Sequence, residues 1–118
     1  MAIAANSAVA LVALLHLNFL VLEMFYWDKS LGRRVFGLKP DFARATKSLA
    51  ANQGLYNGFL VAGLVWGLLL GAAGGPVKVF FLGCVIVAGV FGAFTVSRTI
   101  FWVQALPGAI ALALVLAS

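Results

Sequence analysis

The run Ala5–Trp27, ANSAVALVALLHLNFLVLEMFYW, decides the fold. It is almost unbroken in apolar side chains. At about 1.5 Å of rise per residue it is long enough to cross a hydrocarbon layer of about 30 Å as a helix. It ends in Phe25-Tyr26-Trp27, the aromatic residues that favour a membrane–water interface. No basic segment precedes it and no convincing small-residue cleavage site follows it, so it reads as a retained helix rather than a signal peptide.

Three more runs of this kind follow, at about residues 52–72, 77–96 and 99–117. Together they take up most of the 118 residues. The composition agrees: 64% of residues are hydrophobic and only 9% are charged, against about a quarter charged in a soluble domain. A soluble domain this small could not bury so much apolar surface. An ordinary soluble enzyme, a nucleic-acid-binding domain and a disordered tail are all excluded. The predicted fold is all-α: one integral membrane four-helix bundle over residues 1–118, as a single transmembrane domain.

The net charge of +5 comes from eight Lys+Arg against three Asp+Glu. Its placement points to a membrane rather than to nucleic acid. Lys29, Arg33, Arg34, Lys39, Arg44 and Lys47 all lie in the one long connection, Asp28 to Ala51, and Arg98 falls on the same side. Lys78 alone falls on the other. Basic residues beside spans mark the cytoplasmic face and attract anionic lipid headgroups. The expected site is therefore the inner (plasma) membrane, with both termini outside and the long connection in the cytoplasm.

Within that connection Pro40-Asp41 is a helix-start signal, with Asp41 as its N-cap. Phe42, Ala45 and Leu49 share a face opposite Arg44 and Lys47. This predicts a short amphipathic cytoplasmic helix lying on the membrane between spans one and two.

Small residues recur where helices must approach closely. Gly54 and Gly58, then Gly63, Gly67 and Gly71, mark the second span. Gly83, Gly89 and Gly92 mark the third, and Ala105, Ala109, Ala113 and Ala117 the fourth. Such strips serve bundle closure and a homo-oligomer alike. Pro107 predicts a kink or break in the fourth span.

The informative residues are the polar ones inside the spans, because charged groups there usually face the bundle interior or water. Glu23 and His16 are two turns apart on one face, which Trp27 extends by a further turn. Asn52 stacks over Tyr56, and Gln53 over Asn57. Asn52 could equally cap the second span. Arg98 and Gln104 begin the fourth. All but His16 fall near the cytoplasmic ends of their spans. That predicts a polar pocket opening to the inner leaflet, with Glu23 paired to Arg98 or protonated and able to exchange a proton with His16 or a ligand.

In this reading Glu23 and His16 are the catalytic pair. Asn52, Gln53, Tyr56, Asn57, Arg98, Gln104 and Trp27 hold a small amphiphilic or apolar molecule, and membrane lipid is the other partner. Proton transfer, such as an isomerisation, fits because no nucleophile motif is present. No metal set and no cofactor signature is found, and the single Cys84 reads as a small buried hydrophobe. Two alternatives use the same residues: a proton-coupled small-molecule exporter, and a structural subunit whose polar cluster only ties helices together.

The segments Glu23-Met24-Phe25-Tyr26-Trp27, Arg34-Val35-Phe36-Gly37-Leu38, Ala51-Asn52-Gln53-Gly54-Leu55-Tyr56-Asn57-Gly58-Phe59 and Val103-Gln104-Ala105-Leu106-Pro107 resemble the domain of unknown function thirteen-oh-four family. The resemblance covers nearly the whole chain and is most specific in the Asn-Gln-Gly-x-Tyr-Asn-Gly-Phe stretch. It implies a small four-span microbial membrane protein and supplies no activity.

Overall fold

A computed structural model describes residues 1–118. The chain is all-α, with five helices and no strand: α1 Ala2–Phe25, α2 Ser30–Phe36, α3 Pro40–Leu69, α4 Gly75–Thr95 and α5 Leu106–Ala117. A short 3₁₀ turn, Gly71–Gly74, leads into α4, and a π-helical segment, Phe101–Ala105, leads into α5. Two stretches are long and apolar enough to cross a membrane: Ala2–Phe25 and Gly71–Thr95. The stretch Phe101–Ala117 is apolar but shorter. In α3 the amides Asn52, Gln53 and Asn57 dilute the otherwise apolar stretch from 52 to 69.

The connection between α1 and α3 differs from expectation. Its separate short helix is α2, whereas the segment from Pro40 runs without interruption into α3. Nothing between Asp41 and Gln53 breaks a helix, and Ala43, Ala45, Ala50 and Ala51 favour one. The cap assignments shift accordingly. Pro40 occupies the first helical position, where its missing N–H costs nothing. Ala43 N–H bonds to the Lys39 carbonyl, so Lys39 holds the cap position and Asp41 lies inside the first turn. Asn52 is interior to α3 and caps nothing. Helix α2 stops at Gly37, whose left-handed φ of 66° suits glycine, and Leu38 N–H closes back on the Arg33 carbonyl.

The chain divides into two compact units. The larger comprises Met1–Leu14 and Leu60–Ser118, and the smaller Leu15–Phe59. In the larger unit four helical segments, from α1, α3, α4 and α5, pack around Val9, Val12, Ala13, Leu64, Leu82, Val85 and Ala111. Glycines set the spacing. Gly89 faces the backbone of Ala105, Gly92 faces Ile100, and Gly108 faces Val85 and Ile86. Of the expected Ala105, Ala109, Ala113 and Ala117 strip, only Ala105 is buried within the chain and the other three are exposed. The buried line of α5 is Ala105, Gly108 and Ala111 instead. A helix turns every 3.6 residues, so a strict spacing of four drifts off the contact within two turns. Gly83 of the expected α4 strip meets nothing within 4 Å.

The break expected at Pro107 falls just before it. Proline has no N–H for the carbonyl four residues back and its ring crowds that carbonyl. The chain answers with a widened turn, in which Leu106 N–H reaches the Phe101 carbonyl, five residues back.

In the smaller unit, the second half of α1, α2 and the first half of α3 pack through Leu22, Gly32, Ala43, Ala50, Gly54 and Asn57. Gly54 sits against Leu20, Glu23 and Met24, and Gly58 against Leu20. A Cβ at Gly32 would run into the Tyr26 carbonyl, so only glycine lets α2 fold back there.

Candidate functional site

Seven of the nine predicted site residues lie in the smaller unit: His16, Glu23, Trp27, Asn52, Gln53, Tyr56 and Asn57. The structure joins two of them directly. Asn57 Nδ2 donates to Glu23 Oε1 at 2.5 Å, tying α3 to α1. Asn57 is only 5% exposed, and Glu23 is partly buried. One oxygen of the carboxylate is thus held by an amide. The pairing follows from the glycine strip. Gly54 lies one turn before Asn57, and with no side chain it lets the two backbones approach closely enough for short side chains to meet.

The other residues are placed differently. Asn52, Gln53 and Tyr56 are exposed, on faces of α3 turned away from the Ala50–Gly54–Asn57 line. The Tyr56 ring lies beside Phe59, with centroids 5.9 Å apart. His16 is fully buried, with the edge of its ring against Phe19 at 5.5 Å. Trp27 fastens the connection: its Nε1 donates to Thr46 Oγ1 at 3.0 Å, and its ring packs on Phe36. Thr46 in turn donates to the Phe42 carbonyl. Beside this latch, Lys47 pairs with Asp28 at 3.4 Å. Desolvation pushes the Asp28 carboxyl up, but the Lys47 hydrogen bond and charge, with smaller help from its own backbone and Lys29, outweigh it and hold the group below its usual value.

Arg98 and Gln104 belong to the larger unit. The partner given to Glu23 is the Asn57 amide rather than a cation. The two ion pairs of the chain are Arg44–Asp41 and Lys47–Asp28. All three acidic residues therefore lie, with their partners, in the smaller unit.

One polar pair escaped the sequence reading. Lys78 is 8% exposed, and its Nζ donates to Asn6 Oδ1 at 2.9 Å within the larger unit. Lys78 stands in the first turn of α4, where the helix dipole disfavours a cation, so a neutral acceptor there matters. The signal was present: a lysine inside an apolar run is a candidate by default, and Asn6 is among the few polar residues of α1. No group of His, Cys, Asp and Glu is arranged to hold a metal ion.

Two surface grooves are lined by the larger unit. One, of about 680 Å³, is apolar and runs along α4 past Phe80, Cys84, Val87 and Phe91. The other, of about 540 Å³, has Arg98 at its polar end.

The model of the family described as "Protein of unknown function (DUF1304)" matches residues 10–116. The chain belongs to this family. DUF1304 membership covers both units and agrees with the resemblance carried by the Asn52–Phe59 stretch. No curated protein and no solved structure matches the chain.

Proposed function

We propose that the chain is a four-span protein of the plasma (inner) membrane whose Glu23 carboxylate binds a small amphiphilic or apolar molecule and exchanges a proton with it. The apolarity of α1 and α4 supports the membrane setting, as do large apolar side chains left exposed, such as Ile3, Leu11, Phe91 and Phe94. The remaining crossings are the second half of α3 and the stretch Phe101–Ala117. Both termini lie outside, with the basic connection in the cytoplasm, as the Lys/Arg bias requires.

The single observation that carries the site is the Asn57–Glu23 hydrogen bond. It fixes one carboxylate oxygen and leaves Oε2 for a ligand. In an isomerisation the carboxylate would take a proton from one atom of the ligand and return it to another, so that no co-reactant is needed. His16, two turns along the same helix, is the second titratable group of α1. Asn52, Gln53 and Tyr56 are exposed polar groups within about a turn and a half of Asn57 along α3, on other faces of the helix, where a molecule approaching from lipid would meet them.

Native mass spectrometry of the full chain, extracted with its lipids, tests this reading. A small molecule retained by the natural chain and lost from Glu23→Gln supports it, provided thermal stability is unchanged. A chain that carries nothing beyond bulk lipid, with Glu23→Gln altering only stability, would make the pair a helix clamp and end the proposal.

A further inference from the structure

We propose that the groove lined by Val90, Ala93, Phe94, Arg98, Phe101 and Trp102 is a binding site for one anionic phospholipid, with Arg98 on the phosphate and an acyl chain along α4. The site is lined by residues of the larger unit alone and shares none with the Glu23 site. It rests on the membrane-spanning reading above.

The volume, about 540 Å³, is within the usual range of small-ligand sites. Its lining combines three kinds of side chain. Val90, Ala93 and Phe94 form an apolar wall on the last turns of α4, and Arg98 follows immediately past the helix end. Phe101 and Trp102 close the other side, with rings edge to face at 5.2 Å. An apolar wall with a cation just past its end and an aromatic pair beside both matches the acyl chain, phosphate and glycerol region of a phospholipid. Aromatic residues favour that interfacial level.

The charge of Arg98 is uncompensated. The larger unit contains no Asp or Glu at all, and each acidic residue of the chain is already engaged in the smaller unit. Arg98 is exposed and makes no ion pair. A guanidinium held at a span end needs an anion, and the phosphate oxygens of a lipid match its fork of donors.

The wall itself is shaped by Pro107. The π-helical turn at Phe101–Ala105 changes the register of the side chains just ahead of α5. Such turns interrupt regular helices and often occur where a helix does something besides pack. Here the turn contributes Phe101 and Trp102 to the groove, while Ala105 still packs on Gly89.

The test uses the full chain in vesicles, with Trp27→Phe and Trp66→Phe so that Trp102 is the only indole. Its fluorescence is quenched by phosphatidylglycerol or by phosphatidylcholine, each with brominated chains. One cation–lipid contact is worth about 1 kcal/mol, so phosphatidylglycerol should be favoured about fivefold. Arg98→Gln should bring the ratio to about one, and Arg98→Lys should keep most of it. In otherwise unaltered chain, phosphatidylglycerol adducts in native mass spectra should fall with Arg98→Gln and persist with Arg34→Gln. Equal quenching by the two lipids, or a preference that survives Arg98→Gln, overturns the site while leaving the membrane reading intact. Absence of quenching by either lipid overturns both.

Discussion

Asn57 on α3 donates its amide to the Glu23 carboxylate on α1, at 2.5 Å, with Gly54 one turn away clearing the space between the helices. The bond makes Asn57 the residue on which Glu23 depends. Asn57→Leu would leave a partly buried carboxylate without its donor, at a cost of about 1–3 kcal/mol in stability. Glu23→Gln keeps an acceptor for Asn57 and should cost less than 1 kcal/mol, since neutral bonds within membrane proteins average about 0.6 kcal/mol. Thermal unfolding in detergent should rank Asn57→Leu well below Glu23→Gln. The reverse order would mean that the charge, not the hydrogen bond, holds this contact.

Two glycines of α4 make opposite predictions. A Cβ on Gly89 would stand 2.5 Å from the Ala105 nitrogen and 2.8 Å from its Cα. Those are backbone atoms and cannot swing aside, so Gly89→Ala should destabilise the chain by about 1–3 kcal/mol. Gly83 meets nothing within 4 Å, and Gly83→Ala should be neutral or gain up to about 1 kcal/mol in helix propensity. The pair is compared by melting temperature in one detergent. Equal effects would place Ala105 away from Gly89.

Much of this architecture was legible in the residues, because apolar length and helix-breaking signals are local properties. Ala5–Trp27 predicted α1, Gly71–Pro76 predicted the turn before α4, and Pro107 predicted an irregular fourth segment. Which face of a helix is buried is not local. Asn52 over Tyr56 and Gln53 over Asn57 were equally good stacks by spacing, and only the position of α1 against Gly54 singles out Asn57. The alanine series of α5 shows the same limit of spacing: several strips are on offer, and packing within the chain buries Ala105, Gly108 and Ala111. Lys78 and Asn6 are far apart in sequence, so nothing local pairs them.

That Lys78–Asn6 pair carries its own prediction. Asn6→Leu leaves a nearly buried ammonium, in the first turn of α4, without its acceptor. Stability should fall by about 1–3 kcal/mol, because the unpaired group bears the full desolvation cost. Adding Lys78→Met removes the orphaned charge and should recover part of the loss. A double variant less stable than Asn6→Leu alone would show that Lys78 is held by something other than Asn6.

Asp28 and Lys47 should make stability depend on acidity. The Asp28 carboxyl is held below its usual value, so its folded form gives up its proton more readily than the unfolded chain does. Its contribution is complete above the ordinary carboxylate range, near pH 4, and is lost as pH falls through the lower folded value. Melting temperature followed downward from pH 6 should drop more steeply for the natural chain than for Asp28→Asn. Parallel curves would remove the Lys47 pair from the account.

The proposed orientation of the spans follows from the six cations between Lys29 and Lys47. In a Cys84→Ser background, single cysteines can be placed at Ser30, Ala72, Ser97 and Ser118. A thiol reagent that cannot cross the membrane should label Ala72→Cys and Ser118→Cys in intact cells. Ser30→Cys and Ser97→Cys should react only after the membrane is opened. This alternation requires α3, α4 and the final apolar stretch each to cross once. Labelling of Ser97→Cys in intact cells together with Ser118→Cys would mean that the final stretch does not cross. It would also place Arg98 on the outer face, away from the anionic lipids of the cytoplasmic leaflet.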